Sequence, residues 1–266
     1  MYPSHWGLSH SPFGPQLDPR HFFESAGHEE ALARLHFLVE EHRRLGLLVG
    51  PSGCGKSLLL EIFAERMRAW GRPVAKVSLM AVEPVDLLVA IADELHVPLS
   101  PDSPSWRIWQ QLDRRLRQFR YDQLETVLLL DDADQATPEV LTQVARLAKH
   151  DLAPESRLTL VVSSQTNGAG RLGESLLDLA ELRIDVPPWQ PSDTAAYVQR
   201  SLERVGGSLW LFAQEAIERM HDLSEGSPRR VRQLADLALL AAAGSSLEHV
   251  DADTVEAASD QLAVRS

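Results

Sequence analysis

Two short stretches hold the residues whose types and spacing could do chemistry. Gly50 to Ser57 reads GPSGCGKS and fills every fixed position of the phosphate-binding loop G-x-x-x-x-G-K-[ST]. Glycines let successive backbone N–H groups curl around phosphate oxygens, and a helix opening there turns its positive end toward them. Lys56 is then expected to reach the outer phosphates, and the Ser57 hydroxyl to ligate Mg²⁺. The expected cradle is Gly50, Pro51, Ser52, Gly53, Cys54, Gly55, Lys56, Ser57 and Leu58. In the second stretch an apolar run, Val127 to Leu130, ends in paired carboxylates, Asp131 and Asp132. Asp131 is expected to hold Mg²⁺, directly or through water, and Asp132 to orient and polarise an attacking water. The implied cofactors are ATP and Mg²⁺.

Asp132 poses a question, because most nucleotide-hydrolysing enzymes of this kind carry glutamate there. The shorter acid withdraws the carboxylate by one methylene, about 1.5 Å. Misplacing a catalytic group by about 1 Å can cost on the order of 10²-fold in rate. Slow hydrolysis and a long-lived ATP state are expected, unless the strand end itself sits closer to the phosphates. A further polar group, Ser164 or Gln165, ends the run VVSSQ, where it could hydrogen-bond the attacking water or the outer phosphate. Both candidates stay open. Cys54 is read as a small side chain at a permissive loop position rather than a nucleophile. Trp106 and Trp109, one helical turn apart, are read as core packing ahead of base stacking.

These residues need elements to position them. The run LGLLVG is a short buried strand before the loop, and LLLEIFAERMRAW is an apolar helix after it. Ahead of that strand, helical apolar spacing falls at Leu32, Leu35, Phe37 and Leu38. Further strands are expected at RPVAKVSL, TVLLLDD, RLTLVVSSQ and LRIDV, with helices between them. Strands alternating with helices predict an α/β fold, a parallel sheet covered on both faces. At Pro187, Pro188 and Pro191 the pattern breaks, and only helices follow. Two of them open on Ser or Asp as N-cap candidates. The expected domains are a nucleotide-binding core over 1–188, including the amino-terminal segment, and a helical domain over 189–266.

Bulk properties bound the partners. With 266 residues and 44% hydrophobic content the chain can bury a sizeable core. The net charge of −12 argues against a generally phosphate-tracking surface. Arg229, Arg230 and Arg232 form a dense arginine cluster, so nucleic acid is possible but not favoured. A single cysteine excludes internal disulfides, and the ten histidines lack zinc-site spacing. Neither a signal peptide nor a stretch long enough to span a bilayer is seen, and a cytoplasmic location is expected.

Together the motifs resemble the AAA+ ATPases, and within them the ExeA-like (general secretion pathway protein A) group. HWGLSHSPFGPQLDPRHFFESAGHEEALARL is similar to that group's opening, with its Pro-Phe and Asp-Pro pairs. PPWQPSDTAAYVQRSLERVGG and the helices after it resemble its helical lid, including a Gly-x-Pro-Arg signature at Gly226, Pro228 and Arg229. The resemblance implies a P-loop, three-layer αβα AAA+ core followed by a small all-helical lid. It also implies that Arg229 contacts the nucleotide and that Ser164 or Gln165 is the polar sensor of the sheet. Arg183 would be an arginine acting in trans, with Arg171 as its rival. Such an arginine is worth roughly 10³–10⁵ in rate but needs a neighbouring subunit, so a homo-oligomer is implied. Three features depart from the group. Asp132 replaces glutamate, Arg232 stands where asparagine is commoner, and the membrane span and peptidoglycan-binding domain of secretion members are missing from this sequence. The leading expectation is an ATPase that regulates assembly of a partner complex. A transposition-type DNA-binding helper and a non-hydrolysing nucleotide-gated scaffold are the alternatives.

Overall fold

A computed structural model describes residues 2–14, 22–151, 153 and 155–263. The chain folds as two compact units: Ala26–Pro51 with Lys56–Val186, and Met1–Ser25 with Ser52–Gly55 and Pro187–Ser266.

The first unit is built on five parallel strands: β1 (Leu45–Gly50), β2 (Val74–Ser78), β3 (Thr126–Asp131), β4 (Leu158–Gln165) and β5 (Leu182–Asp185). Their order is β2-β3-β4-β1-β5. Every residue of β1 and β3 is buried, as a strand covered on both faces must be. The helices before β5 are α2 (Ala26–Glu40), α3 (Lys56–Ala69), α4 (Pro84–Glu94), α5 (Ser105–Tyr121), α6 (Pro138–Ala148) and the single turn α7 (Glu174–Leu177), α1 (Tyr2–His5) lying in the other unit. Local chemistry sets their ends. Pro138 opens α6, and the Thr137 hydroxyl accepts the Val140 N–H at 3.4 Å.

Strand alternation sorts the helices between two faces. Leu45, Leu47, Val49, Leu128, Leu130, Leu160 and Val162 share one apolar cluster with α4, α5 and α6. The alternate positions look the other way: a β-carbon on Gly46 would lie 2.2 Å from Leu38 of α2. Lys76, on the same face, pairs with Glu61 of α3. The face toward α2 and α3 therefore carries Gly46, Leu48 and Gly50 of β1, Val127, Leu129 and Asp131 of β3, and Val161, Ser163 and Gln165 of β4.

Two sequence expectations change here. Phe37 does not join the helical apolar stripe and is 46% exposed. Trp109 is core, with its ring N–H donating to Gln143, but Trp106 is 62% exposed on the same helix.

The second unit is helical: α8 (Pro191–Arg204), α9 (Gln214–Ser224), α10 (Pro228–Gly244) and α11 (Ala252–Ala263), with α1. Gln190, not Ser192, caps α8, in a reciprocal box with Asp193. Asp251 accepts the Thr254 N–H at the start of α11, as expected of an N-cap. The amino-terminal segment was expected with the nucleotide-binding core, but Leu8, Phe13 and Phe23 pack into the helical cluster beside Trp189, Tyr197 and Phe212. Large aromatic side chains go where apolar surface covers them, and Phe13 meets both Tyr197 and Phe212 edge-on or tilted. Arg232, the departure from asparagine, donates to the carbonyls of Phe13 (3.2 Å) and Gly14 (3.0 Å). The Asp-Pro pair of the opening motif, Asp18 and Pro19, lies outside the described residues.

Candidate functional site

The loop after β1 begins at Gly50, and α3 starts on Lys56. Gly55 adopts φ +103°, a backbone region that residues with a side chain rarely adopt, so glycine suits this turn of the loop. The Lys56 ammonium is nearly buried and donates to the carbonyls of Gly50 (2.8 Å) and Pro51 (3.0 Å). Ser57 and Leu58, the next two residues of α3, are half-buried. The loop tip, Ser52–Gly55, belongs to the helical unit, where Cys54 is buried and the Gly53 carbonyl accepts the Arg229 N–H at 3.2 Å. Arg229 itself is exposed at the start of α10.

Asp131 ends β3 on the α3 side of the sheet and is 5% exposed. Its Oδ1 accepts the Ser163 hydroxyl and, at 3.1 Å, the Asp132 N–H. Its Oδ2 carries neither bond. Asp132 turns into the left-handed region, φ 57° and ψ 40°, which aspartate tolerates better than longer side chains. Its N–H also donates to Ser163 Oγ at 3.1 Å, and its carboxylate accepts the Ser78 hydroxyl at 3.4 Å. Burial pushes the Asp132 carboxyl up from the usual range, and the charges of Asp131 and Asp134 add to that, against the Ser78 bond and Lys56.

Alternation separates the two sensor candidates. Gln165 shares its face with Ser163, which touches both acids, and it pairs in register with Gly50. Ser164 points to the other face, fully buried, and donates to the Gln165 carbonyl at 3.0 Å. Ser163, Ser78 and Asp134 were missed in sequence. The period-2 pattern of VVSSQ could have found Ser163, whereas the other two needed the strand order.

Arg183 lies on the edge strand β5, opposite Leu47, and faces away from Asp131 and Gln165. Its guanidinium forks onto Asp185 at 2.8 to 3.1 Å in an exposed pair. That contact raises its pKa further. Arg171 is exposed at the end of a short turn after β4. Among the described residues no helix is long and apolar enough to cross a membrane.

A parallel sheet in this order, with a phosphate-loop motif leaving β1 and acids closing β3, defines an AAA+ P-loop fold. The chain belongs to the AAA domain family, whose model matches residues 39–172. It is also similar to general secretion pathway protein A of Aeromonas hydrophila, 28% identical over 91% of this chain and 45% of the relative. The chain thus spans about half the length of that curated relative. Among solved structures it resembles Cdc6p of Pyrobaculum aerophilum, TM-score 0.73 at 17% identity, covering 94% of this chain and 70% of that one. The Aeropyrum pernix ORC1 protein, solved in complex with DNA, matches with TM-score 0.69 at 18% identity, over 94% of this chain and 68% of that one. The Thermotoga maritima RuvB Holliday junction branch migration motor matches with TM-score 0.59 at 16% identity, over 88% and 69%.

Proposed function

We propose that this chain binds ATP with Mg²⁺ and hydrolyses it, within an assembly of its own copies, to drive or regulate a partner complex. One observation carries the reading: Gly50, Gln165 and Asp131 end three consecutive strands on the sheet face that α3 covers. The donor set suits the cation, since the Ser57 hydroxyl and the Asp131 carboxylate are hard oxygen ligands and Asp131 Oδ2 is left aside by the bonds on Oδ1. When bound, Mg²⁺ supplies charge neutralisation between the outer phosphates. Lys56 exchanges neutral loop carbonyls for phosphate oxygens, which makes its hydrogen bonds charge-assisted on both sides. Asp132 polarises the attacking water and Gln165 orients it. The trans role of Arg183 and the nucleotide contact of Arg229 rest on the family resemblance alone. A cytoplasmic location and a secretion- or pilus-related client belong to the same reading, the client by similarity to general secretion pathway protein A.

The test is direct titration with ATP and Mg²⁺. Lys56→Ala is expected to lose most nucleotide affinity. Equal binding by the mutant and the wild type removes the loop assignment.

A DNA-binding helper draws on the similarity to the Aeropyrum pernix ORC1 protein in complex with DNA and to the RuvB Holliday junction branch migration motor. Against it stand the net charge of −12 and the use of Arg232 on the Phe13 and Gly14 carbonyls, which leaves Arg229 and Arg230 as the exposed members of the cluster. Duplex binding measured across a salt series separates the two readings, because phosphate contacts give a steep salt slope.

A further inference from the structure

The third acid of the DDAD run does a job that the nucleotide reading leaves unassigned. The ladder between β3 and β4 stops at Leu130 and Val162, because Asp132 leaves the strand in a left-handed turn. Beyond that point two side chains replace the ladder. Ser163 reaches from β4 to Asp131 and the Asp132 N–H. Asp134 reaches the opposite way, from the turn after β3 to the end of β4. It is 6% exposed, and its Oδ1 accepts the backbone N–H of Gln165 at 3.0 Å. Oδ2 accepts the side-chain amide of Gln135 at 2.9 Å.

The far side of Asp134 is equally constrained. A β-carbon added to Gly168 would lie 2.5 Å from the Asp134 β-carbon and 2.9 Å from Oδ2. Gly168 has φ −97°, open to any residue, so glycine is required here for close approach and not for backbone freedom. Its N–H donates to the Gln165 carbonyl at 3.0 Å. Asp134 and Gly168 together therefore hold Gln165 from both its N–H and its C=O.

The geometry points to Asp134 as a positioning residue that fixes Gln165 against the Asp131–Asp132 turn, so that the polar end of β4 faces the reacting water. The inference rests on the nucleotide reading above, since it assigns Gln165 the water. Removing the acceptor frees the strand end to shift, and a shift of about 1 Å at a catalytic group costs on the order of 10²-fold. Gly168→Ala reaches the same element from the opposite side by displacing the Asp134 carboxylate without removing it.

The experiment measures ATP binding and single-turnover hydrolysis for wild type, Asp134→Ala, Asp134→Asn and Gly168→Ala, with thermal melting of each. Asp134→Ala and Gly168→Ala are expected to lower turnover at saturating ATP about 10- to 100-fold with ATP affinity within about twofold of wild type. Asp134→Asn keeps an acceptor for the Gln165 N–H and is expected to recover most of the rate, which general destabilisation does not explain. If Asp134→Ala does not fold, Gly168→Ala and Asp134→Asn carry the test. Wild-type turnover in Asp134→Ala overturns the proposal, as does loss of ATP affinity in step with turnover. So do an Asp134→Asn as slow as the alanine variant and, should the alanine variant not fold, a Gly168→Ala with wild-type turnover. A wild type that binds ATP without hydrolysing it also overturns it while leaving nucleotide binding standing. A wild type that binds no ATP removes the nucleotide reading itself, and this inference with it.

Discussion

Replacing Asp132 with glutamate tests whether the site is built around the shorter acid. Sequence alone allows the longer acid to restore a withdrawn carboxylate and speed turnover. The structure favours the opposite. Asp132 sits at φ 57°, where its short side chain accepts the Ser78 hydroxyl at 3.4 Å while its N–H donates to Ser163 and Asp131. Glutamate pushes the carboxylate about 1.5 Å past that partner and occupies a backbone region it adopts less readily than aspartate. Turnover of Asp132→Glu at saturating ATP is expected to fall on the order of 10²-fold, with ATP affinity little changed. Asp132→Asn keeps the size and the backbone preference but loses the charge, and is expected to be nearly inactive while binding ATP normally. Phosphate release under single-turnover conditions reads both. An Asp132→Glu protein faster than wild type refutes the argument from the backbone, and an Asp132→Asn protein as fast as wild type removes Asp132 from catalysis.

In the absence of nucleotide and metal, the same Asp132→Asn change should raise the melting temperature at neutral pH. A carboxyl whose folded pKa is raised contributes stability below its unfolded pKa and loses it as pH rises through the folded one, so the gain should shrink toward acid pH; an equal gain at all pH values contradicts this. Arg183→Ala should lower hydrolysis without weakening ATP binding, and specific activity should climb with protein concentration; flat activity rules out a trans site. Asp185→Ala should release Arg183 for a neighbour and raise activity at low protein concentration, an effect absent from the double variant. Burial pushes Asp113 upward, but hydrogen bonds from Arg117 and His150 outweigh it and hold the carboxyl below its usual range. Its contribution to stability, present above the unfolded pKa, should fade as pH falls through the folded one. An acid-unfolding midpoint unchanged in Asp113→Asn argues against that.

What the sequence determined is what contiguous spacing encodes. The loop Gly50–Ser57 needs eight consecutive residues between a strand and a helix, and the structure supplies β1 before it and α3 from Lys56 onward. The apolar runs of β1 and β3 could be read as buried strands because both faces of a parallel sheet are covered. Tertiary structure alone decided which strands are neighbours. The order β2-β3-β4-β1-β5 brings Ser78, Asp131 and Ser163 side by side and sets Gln165 against Gly50, across separations that no local pattern fixes. It also placed Arg183 on an edge strand, and it took the amino-terminal aromatics to the helical unit. Asp134 was legible as an acid near two others. Its bond to the Gln165 N–H became visible only once β3 and β4 lay together, because a hydrogen bond depends on distance in space and residues 134 and 165 are separated along the chain by α6, a loop and the length of β4.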